Sequence, residues 1–191
     1  GPLLCGGITV YSALRAAGMR SGQHIGVLGV GGLGHLAVQF AAKLGNQVTA
    51  FTKSQDKAAF AARLGADDAI VCPGPAPGRK PARPLDILIN TAPANQDWAA
   101  WLRLLGSDGT LTFVGIPEEP IVIPAGTLLD RRKRVMGSPI GGRAQMNEML
   151  RLADAFGVRP VIETFDLADA NRAVASVRDN TVRYRAVLVM P

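Results

Sequence analysis

The chain has 191 residues, 48% of them hydrophobic, with 22 glycines and a formal charge of +6. That length builds one main domain, or one core with an appendage. No run approaches the roughly 20 uninterrupted apolar residues of a spanning helix and no charged-then-apolar leader stands at the start, which excludes a membrane protein and predicts a soluble, cytoplasmic one.

The chain opens on Gly1-Pro2 without a methionine and enters apolar sequence at once, so a piece of something longer is expected. Ile25 to Leu28 predicts a buried strand, followed by the glycine run Gly29-Val-Gly31-Gly32-Leu33-Gly34-His35. Leu36, Val38, Phe40, Ala41 and Leu44 then predict an apolar helix stopped by Gly45, and Gln47 to Phe51 a second strand. Strand, glycine turn, helix and strand make a βαβ unit. In such a unit Gly29 allows the tight turn, Gly31 lets the backbone approach a pyrophosphate, and Gly34 lets the helix lie close to the strand. The positive helix end then faces the anion. Taken alone, the same spacing arises in any Gly-rich turn between a strand and a helix.

A carboxylate about 20 residues after the glycines holds the ribose hydroxyls of NAD. Here that place reads Phe51-Thr52-Lys53-Ser54-Gln55-Asp56-Lys57, two hydroxyls and two ammonium groups. Charge complementarity favours NADP, with its extra 2′-phosphate, over NAD. Asp56 falls in the first turn of the next predicted helix, where a negative charge complements the dipole. A solvated polar turn is the other reading of this stretch.

Gln55 to Leu64 predicts a helix ended by Gly65, and Ala69 to Val71 a short strand. Cys72 to Pro84, with five prolines and two glycines, predicts a surface loop. Cys5 and Cys72 lack CxxC spacing, so neither a disulfide framework nor a self-contained zinc knot is expected. Leu85 to Asn90 predicts a strand, Asp97 to Leu105 a helix, and Gly109 to Val114 a strand. The alternation predicts an α/β fold with a doubly wound parallel sheet. Arg131-Arg132-Lys133-Arg134 carries no nucleic-acid motif and predicts a solvated basic face. Arg134 to Ser138 is a candidate further strand, and Ala144 to Phe156 an amphipathic helix whose methionines serve packing. From Val161 the pattern becomes strand, helix (Leu167 to Val177) and strand (Tyr184 to Val189), a possible second unit.

Pro2-Leu-Leu-Cys5-Gly-Gly-Ile-Thr-Val-Tyr11, Gly29 to His35, Val114-Gly-Ile-Pro117, Gly137-Ser-Pro-Ile-Gly-Gly142 and Val182-Arg-Tyr-Arg185 together resemble the cinnamyl-alcohol-dehydrogenase-like branch of zinc-dependent medium-chain alcohol dehydrogenases. Five motifs in order span nearly the whole chain. The resemblance implies a Rossmann domain, NADP-dependent interconversion of alcohols and aldehydes, and a catalytic zinc. It implies that Gly31, Gly32 and Leu33 meet the pyrophosphate, that Thr52, Lys53, Ser54 and Lys57 meet the 2′-phosphate, and that Thr91, Val114, Ile116, Ser138 and Ile140 meet the nicotinamide ribose and ring. Arg185 resembles a pyrophosphate arginine, although an edge-strand arginine fits the sequence nearly as well.

By the same resemblance Cys5 is one zinc ligand, and a homodimer forms through about Arg134 to Ser138. The family's N-terminal domain, with the remaining zinc ligands, has no counterpart in this sequence. A single thiolate falls short of the about three protein ligands of catalytic zinc, so the isolated chain is expected to be inactive. His24 and His35 are expected to be surface or capping residues. The implied organisation is a hinge remnant over 1–17, the NADP-binding domain over 18–142, and a C-terminal segment over 143–191 that packs back toward the catalytic domain. A stand-alone NADP-binding or sensor module is the competing reading. A zinc-independent quinone or enoyl reductase fragment is a third, which gives Cys5 no purpose.

Overall fold

The computed structural model describes residues 1–190. Its elements in chain order are α1 (Gly6–Ala16), β1 (His24–Leu28), α2 (Gly34–Lys43), β2 (Gln47–Thr52), α3 (Gln55–Arg63), β3 (Asp68–Val71), β4 (Leu85–Asn90), α4 (Trp98–Leu102), β5 (Leu105–Phe113), α5 (Ala125–Leu129), β6 (Arg134–Gly137), α6 (Arg143–Ala155), β7 (Ile162–Asp166), α7 (Ala170–Arg178) and β8 (Arg185–Val189). The first six strands form one parallel sheet in the order β3-β2-β1-β4-β5-β6. This is the doubly wound Rossmann arrangement, with its switch point between β1 and β4.

Both faces of the sheet are covered, which is why its central strands read as continuous apolar runs. Ile25, Val27, Val48 and Ala50 face one core shared with Phe40 of α2, Ile8, Tyr11 and Leu14 of α1, and Met149 and Ala153 of α6. Leu28, Phe51 and Leu88 face the other, with Trp98, Trp101 and Leu111. A register irregularity falls between Leu85 and Ile87, and Leu85 and Leu88 join the same core. Phe51 and Trp101 meet edge to face at 5.0 Å, a geometry worth about 0.5–1.5 kcal/mol beyond the area buried. A second, two-stranded parallel sheet pairs β7 with β8 over a small core of Phe165, Ala173 and Val182.

Several details depart from the sequence reading. The helix expected over Asp97 to Leu105 stops at Leu102, since Leu104 and Leu105 pair with Leu85 at the start of β4. Asp97 caps it, accepting from the Ala100 N–H at 2.9 Å. Gly6 to Ala16, which carried no helix assignment, forms α1. The last helix begins at Ala170, after a turn of 3-10 helix at Leu167–Asp169. Finally, Arg131 to Arg134 is not a uniform basic face: a short 3-10 turn over Asp130–Arg132 leads through Lys133 into β6. Arg131 and Arg132 have φ of 58° and 54°, Lys133 is buried against the Asp130 carboxylate at 2.7 Å, and Arg132 donates to Asp108 at 2.7 Å.

Candidate nucleotide site

The glycine turn is built by steric necessity. Gly29 adopts φ of +89° and its N–H donates to Phe51 O at 2.9 Å, so the chain leaves β1 at a left-handed residue. A Cβ on Gly34 would fall on the Gly29 carbonyl oxygen, so only glycine lets α2 start this close to the strand. A Cβ on Gly31 would meet nothing within 4 Å, because that position opens onto the cleft. Thr91, at the end of β4, donates its hydroxyl to Gly29 O at 2.8 Å and its N–H to Leu28 O at 2.9 Å. The switch point is thereby closed by hydrogen bonds between its two halves.

A cleft of ≈ 340 Å³ lies over the C-terminal ends of β1, β2 and β4 and contains Gly29, Gly31, Thr52, Lys53, Lys57 and Thr91 in its lining. No carboxylate lines it, and its two lysines are its only charged residues among those described. Thr52 is buried and its hydroxyl has no hydrogen-bond partner within the protein. A buried polar atom without a partner costs about 1–3 kcal/mol, which a polar ligand atom would offset. Ser54 is placed differently: it caps α3, accepting from the Lys57 N–H at 3.4 Å, and is exposed outside the residues that line the cleft. Gly32 meets Arg185, whose Nε donates to Gly32 O at 2.9 Å. Leu33 packs its side chain against the core, leaving its backbone for any ligand.

Val114, Ile116, Ser138 and Ile140 gather in a second hollow beyond the ends of β5 and β6, together with Thr9 of α1. The structure thus divides the candidate residues between two adjoining regions along the same edge of the sheet. Cys72, Trp101 and Asn180 also line the first cleft and carried no signal in the sequence. Asn180 arrives from the turn after α7 with φ of 53°, and about 150 residues of chain separate it from the glycines, so no spacing rule could find it. Burial raises the Cys72 thiol above its ordinary range.

Both histidines are fully buried, against the expectation of surface or capping positions. His24 Nδ1 lies 3.3 Å from Pro84 O and its Nε2 2.8 Å from the Thr49 hydroxyl. The carbonyl can only accept, so Nδ1 carries the hydrogen and Nε2 accepts. His35 Nδ1 lies 2.9 Å from Gly31 O, and its Nε2 accepts from the Val161 N–H at 3.1 Å. Burial, reinforced by the nearby Arg185 cation, lowers its pKa to about 4. Desolvation likewise lowers that of His24.

Cys5 is exposed at the start of α1, and no three His, Cys, Asp or Glu side chains gather to hold a metal among the described residues. This chain's own residues therefore do not fit a zinc site. No helix among them is long and apolar enough to cross a membrane.

Residues 32–155 match the family described as zinc-binding dehydrogenase. The chain is 41% identical over 189 residues to a probable cinnamyl alcohol dehydrogenase 3 of Oryza sativa subsp. japonica, covering 98% of this chain and 52% of that protein. It is 40% identical over 187 residues to an NADP-dependent alcohol dehydrogenase C of Mycobacterium tuberculosis, covering 98% and 54%. Among solved structures, a cinnamyl alcohol dehydrogenase of Sorghum bicolor superposes with a TM-score of 0.89 at 39% identity, covering 98% and 54%. One from Helicobacter pylori complexed with NADP(H) gives 0.85 at 30%, covering 98% and 53%. The chain spans about half the length of the curated relatives it matches. It belongs to the zinc-binding dehydrogenase family.

Proposed function

We propose that this chain is the cofactor-binding part of an NADP-dependent alcohol dehydrogenase that interconverts alcohols and aldehydes. The observation that carries the reading is the cleft at the switch point, with a glycine position open to it, an unpartnered Thr52 hydroxyl, two lysines and no carboxylate. The relatives' names, NADP-dependent alcohol dehydrogenase among them, agree with it.

In this reading the Gly31-Gly32 backbone and the α2 N-terminus hold the pyrophosphate, and Arg185 adds a cation at Gly32. Thr52, Lys53 and Lys57 receive the 2′-phosphate, joined by Ser54 at the α3 N-cap. Thr91, Val114, Ile116, Ser138 and Ile140 shape the path to the nicotinamide along the ends of β4, β5 and β6. Bound NADP(H) would supply or accept the hydride. The chain's part is to fix the dinucleotide in an extended pose and to keep its reactive end at the second hollow.

Zinc in the whole protein would take Cys5 as one ligand and the rest from residues other than these. Residues 1–17 then serve as a hinge and 143–191 as the segment that returns toward the catalytic domain. Two free cysteines fit a reducing compartment such as the cytoplasm. A homodimer through the outer edge of β6 would cover an unpaired strand; sedimentation showing only monomer at tens of micromolar would count against it.

The deciding experiment is titration of the chain with NADPH and NADH, repeated after Lys53→Ala and Lys57→Ala. Each replacement should weaken NADPH about five- to tenfold, about 1–1.4 kcal/mol, and leave NADH nearly unchanged. Equal losses for both cofactors would refute the 2′-phosphate role.

A further inference from the structure

The helix that follows the glycine turn has a second use. His35, Gln39 and Lys43 stand at i, i+4 and i+8 of α2, one stripe of the helix. All three grip the backbone of the segment that leads from α6 into β7. Lys43 Nζ donates to Phe156 O at 2.8 Å. Gln39 donates to Arg159 O at 2.9 Å and accepts from the Arg159 N–H at 3.1 Å. His35 Nε2 accepts from the Val161 N–H at 3.1 Å. Of the three, His35 alone reaches back to the glycine turn, through Nδ1 and Gly31 O at 2.9 Å. Because a backbone N–H can only donate, Nε2 holds the lone pair and Nδ1 the hydrogen, which defines one neutral tautomer.

The contacts close into a circuit. Val161 O accepts from the N–H groups of Tyr184 at 3.1 Å and Arg185 at 3.3 Å. Arg185 Nε then donates to Gly32 O at 2.9 Å, next to the residue where the circuit began. The Tyr184 ring stacks on His35 with centroids 5.1 Å apart and holds the imidazole plane. We propose that His35 is a positioning residue: through Val161 it sets β8 so that the Arg185 guanidinium is held over the glycine turn, ready for a pyrophosphate. The inference rests on the cofactor reading given above. Its physical basis is preorganisation. An arginine side chain carries about 2 kcal/mol of rotamer entropy, and a guanidinium already anchored through Nε loses less of it when its remaining donors meet a phosphate.

The test is a double-mutant cycle on the full chain, with NADPH affinity from nicotinamide fluorescence and a thermal melt for every variant. Arg185→Met should weaken NADPH on the order of tenfold or more, the scale of a hydrogen bond to a charged group. His35→Ala should weaken it about fivefold in the native background and less than about twofold in the Arg185→Met background, since the effect passes through Arg185. His35→Gln, whose amide reaches the Nε2 position, should recover most of the affinity. His35→Asn, which reaches only Gly31, should not. Gln39→Ala should lower the melting temperature without changing affinity, which separates support from positioning. Additive losses for His35 and Arg185, or rescue by Asn equal to rescue by Gln, would overturn the proposal. Should His35→Ala fail to fold, the Gln and Asn variants make the same comparison in both backgrounds. If the unaltered chain melts cooperatively and binds no NADPH, the cofactor reading fails and this proposal fails with it. If it binds and the losses add, the positioning role alone fails.

Discussion

Acid should destabilise this fold through His35, and the size of the effect follows from its surroundings. The ring is fully buried, donates to Gly31 O and accepts from Val161, and its pKa is lowered from the ordinary 6.5 to about 4. Between those values the unfolded chain binds a proton that the folded chain refuses. Stability is therefore complete above about pH 6.5 and falls as pH drops toward about 4. The slope is about 1.4 kcal/mol per pH unit, or about 3 kcal/mol over the whole window. His24 is shifted in the same direction, so the measurement is a difference between two proteins. Urea unfolding of the native chain and of His35→Gln, from pH 7.5 to 4.5, isolates the term. The native advantage at pH 7.5 should shrink by about 2 kcal/mol by pH 5. Parallel stability curves for the two proteins would refute the argument, because the common contributions cancel and only the His35 term remains.

Two glycines of the turn should separate binding from folding. Gly31→Ala adds a methyl where nothing stands within 4 Å and should leave the melt unchanged while weakening NADPH at least about tenfold, a contrast that titration and calorimetry check together. Gly34→Ala drives a methyl into the Gly29 carbonyl and should cost on the order of 1–3 kcal/mol or more of stability. Breaking the Lys133 pair by Asp130→Asn should lower the melting temperature, since the buried ammonium loses its charged partner, whereas Lys133→Met should be close to neutral. Native thiol titration should modify exposed Cys5 first, with buried Cys72 reacting only slowly or after unfolding; equal rates would contradict the packing around Cys72.

Much of the architecture was legible because each βα turn carries its own chemistry. The glycines after β1, the Gly45 stop and the Pro-rich loop before β4 are local instructions, and strand and helix appear where they direct. The C-terminal end of α4 was not legible. Trp98, Trp101, Leu102 and Leu105 have helical spacing, but Leu104 O is required by the Leu85 N–H and Leu105 by the β4 ladder, so sheet pairing cut the helix short. Helix α1 was missed for the converse reason. Its two leading glycines and β-branched Ile8, Thr9 and Val10 are poor helix formers, and burial against the sheet outweighs that preference.

The site divides the same way. Gly29, Gly31, Gly34, Thr52, Lys53 and Lys57 were readable as candidates because they lie within one βαβ unit, where spacing along the chain is spacing in space. Asn180 in the cleft, Arg185 on Gly32 and His35 bound to Val161 depend on the chain returning from its far end. By itself the sequence determined the glycine turn, the charge preference of the cleft and the order of the strands, all of them consequences of local backbone freedom and periodicity. Only the tertiary structure decided which polar groups are buried and what they hold. A histidine's environment is set by residues up to 126 positions away, and the free energy of burying it is decided where those residues meet.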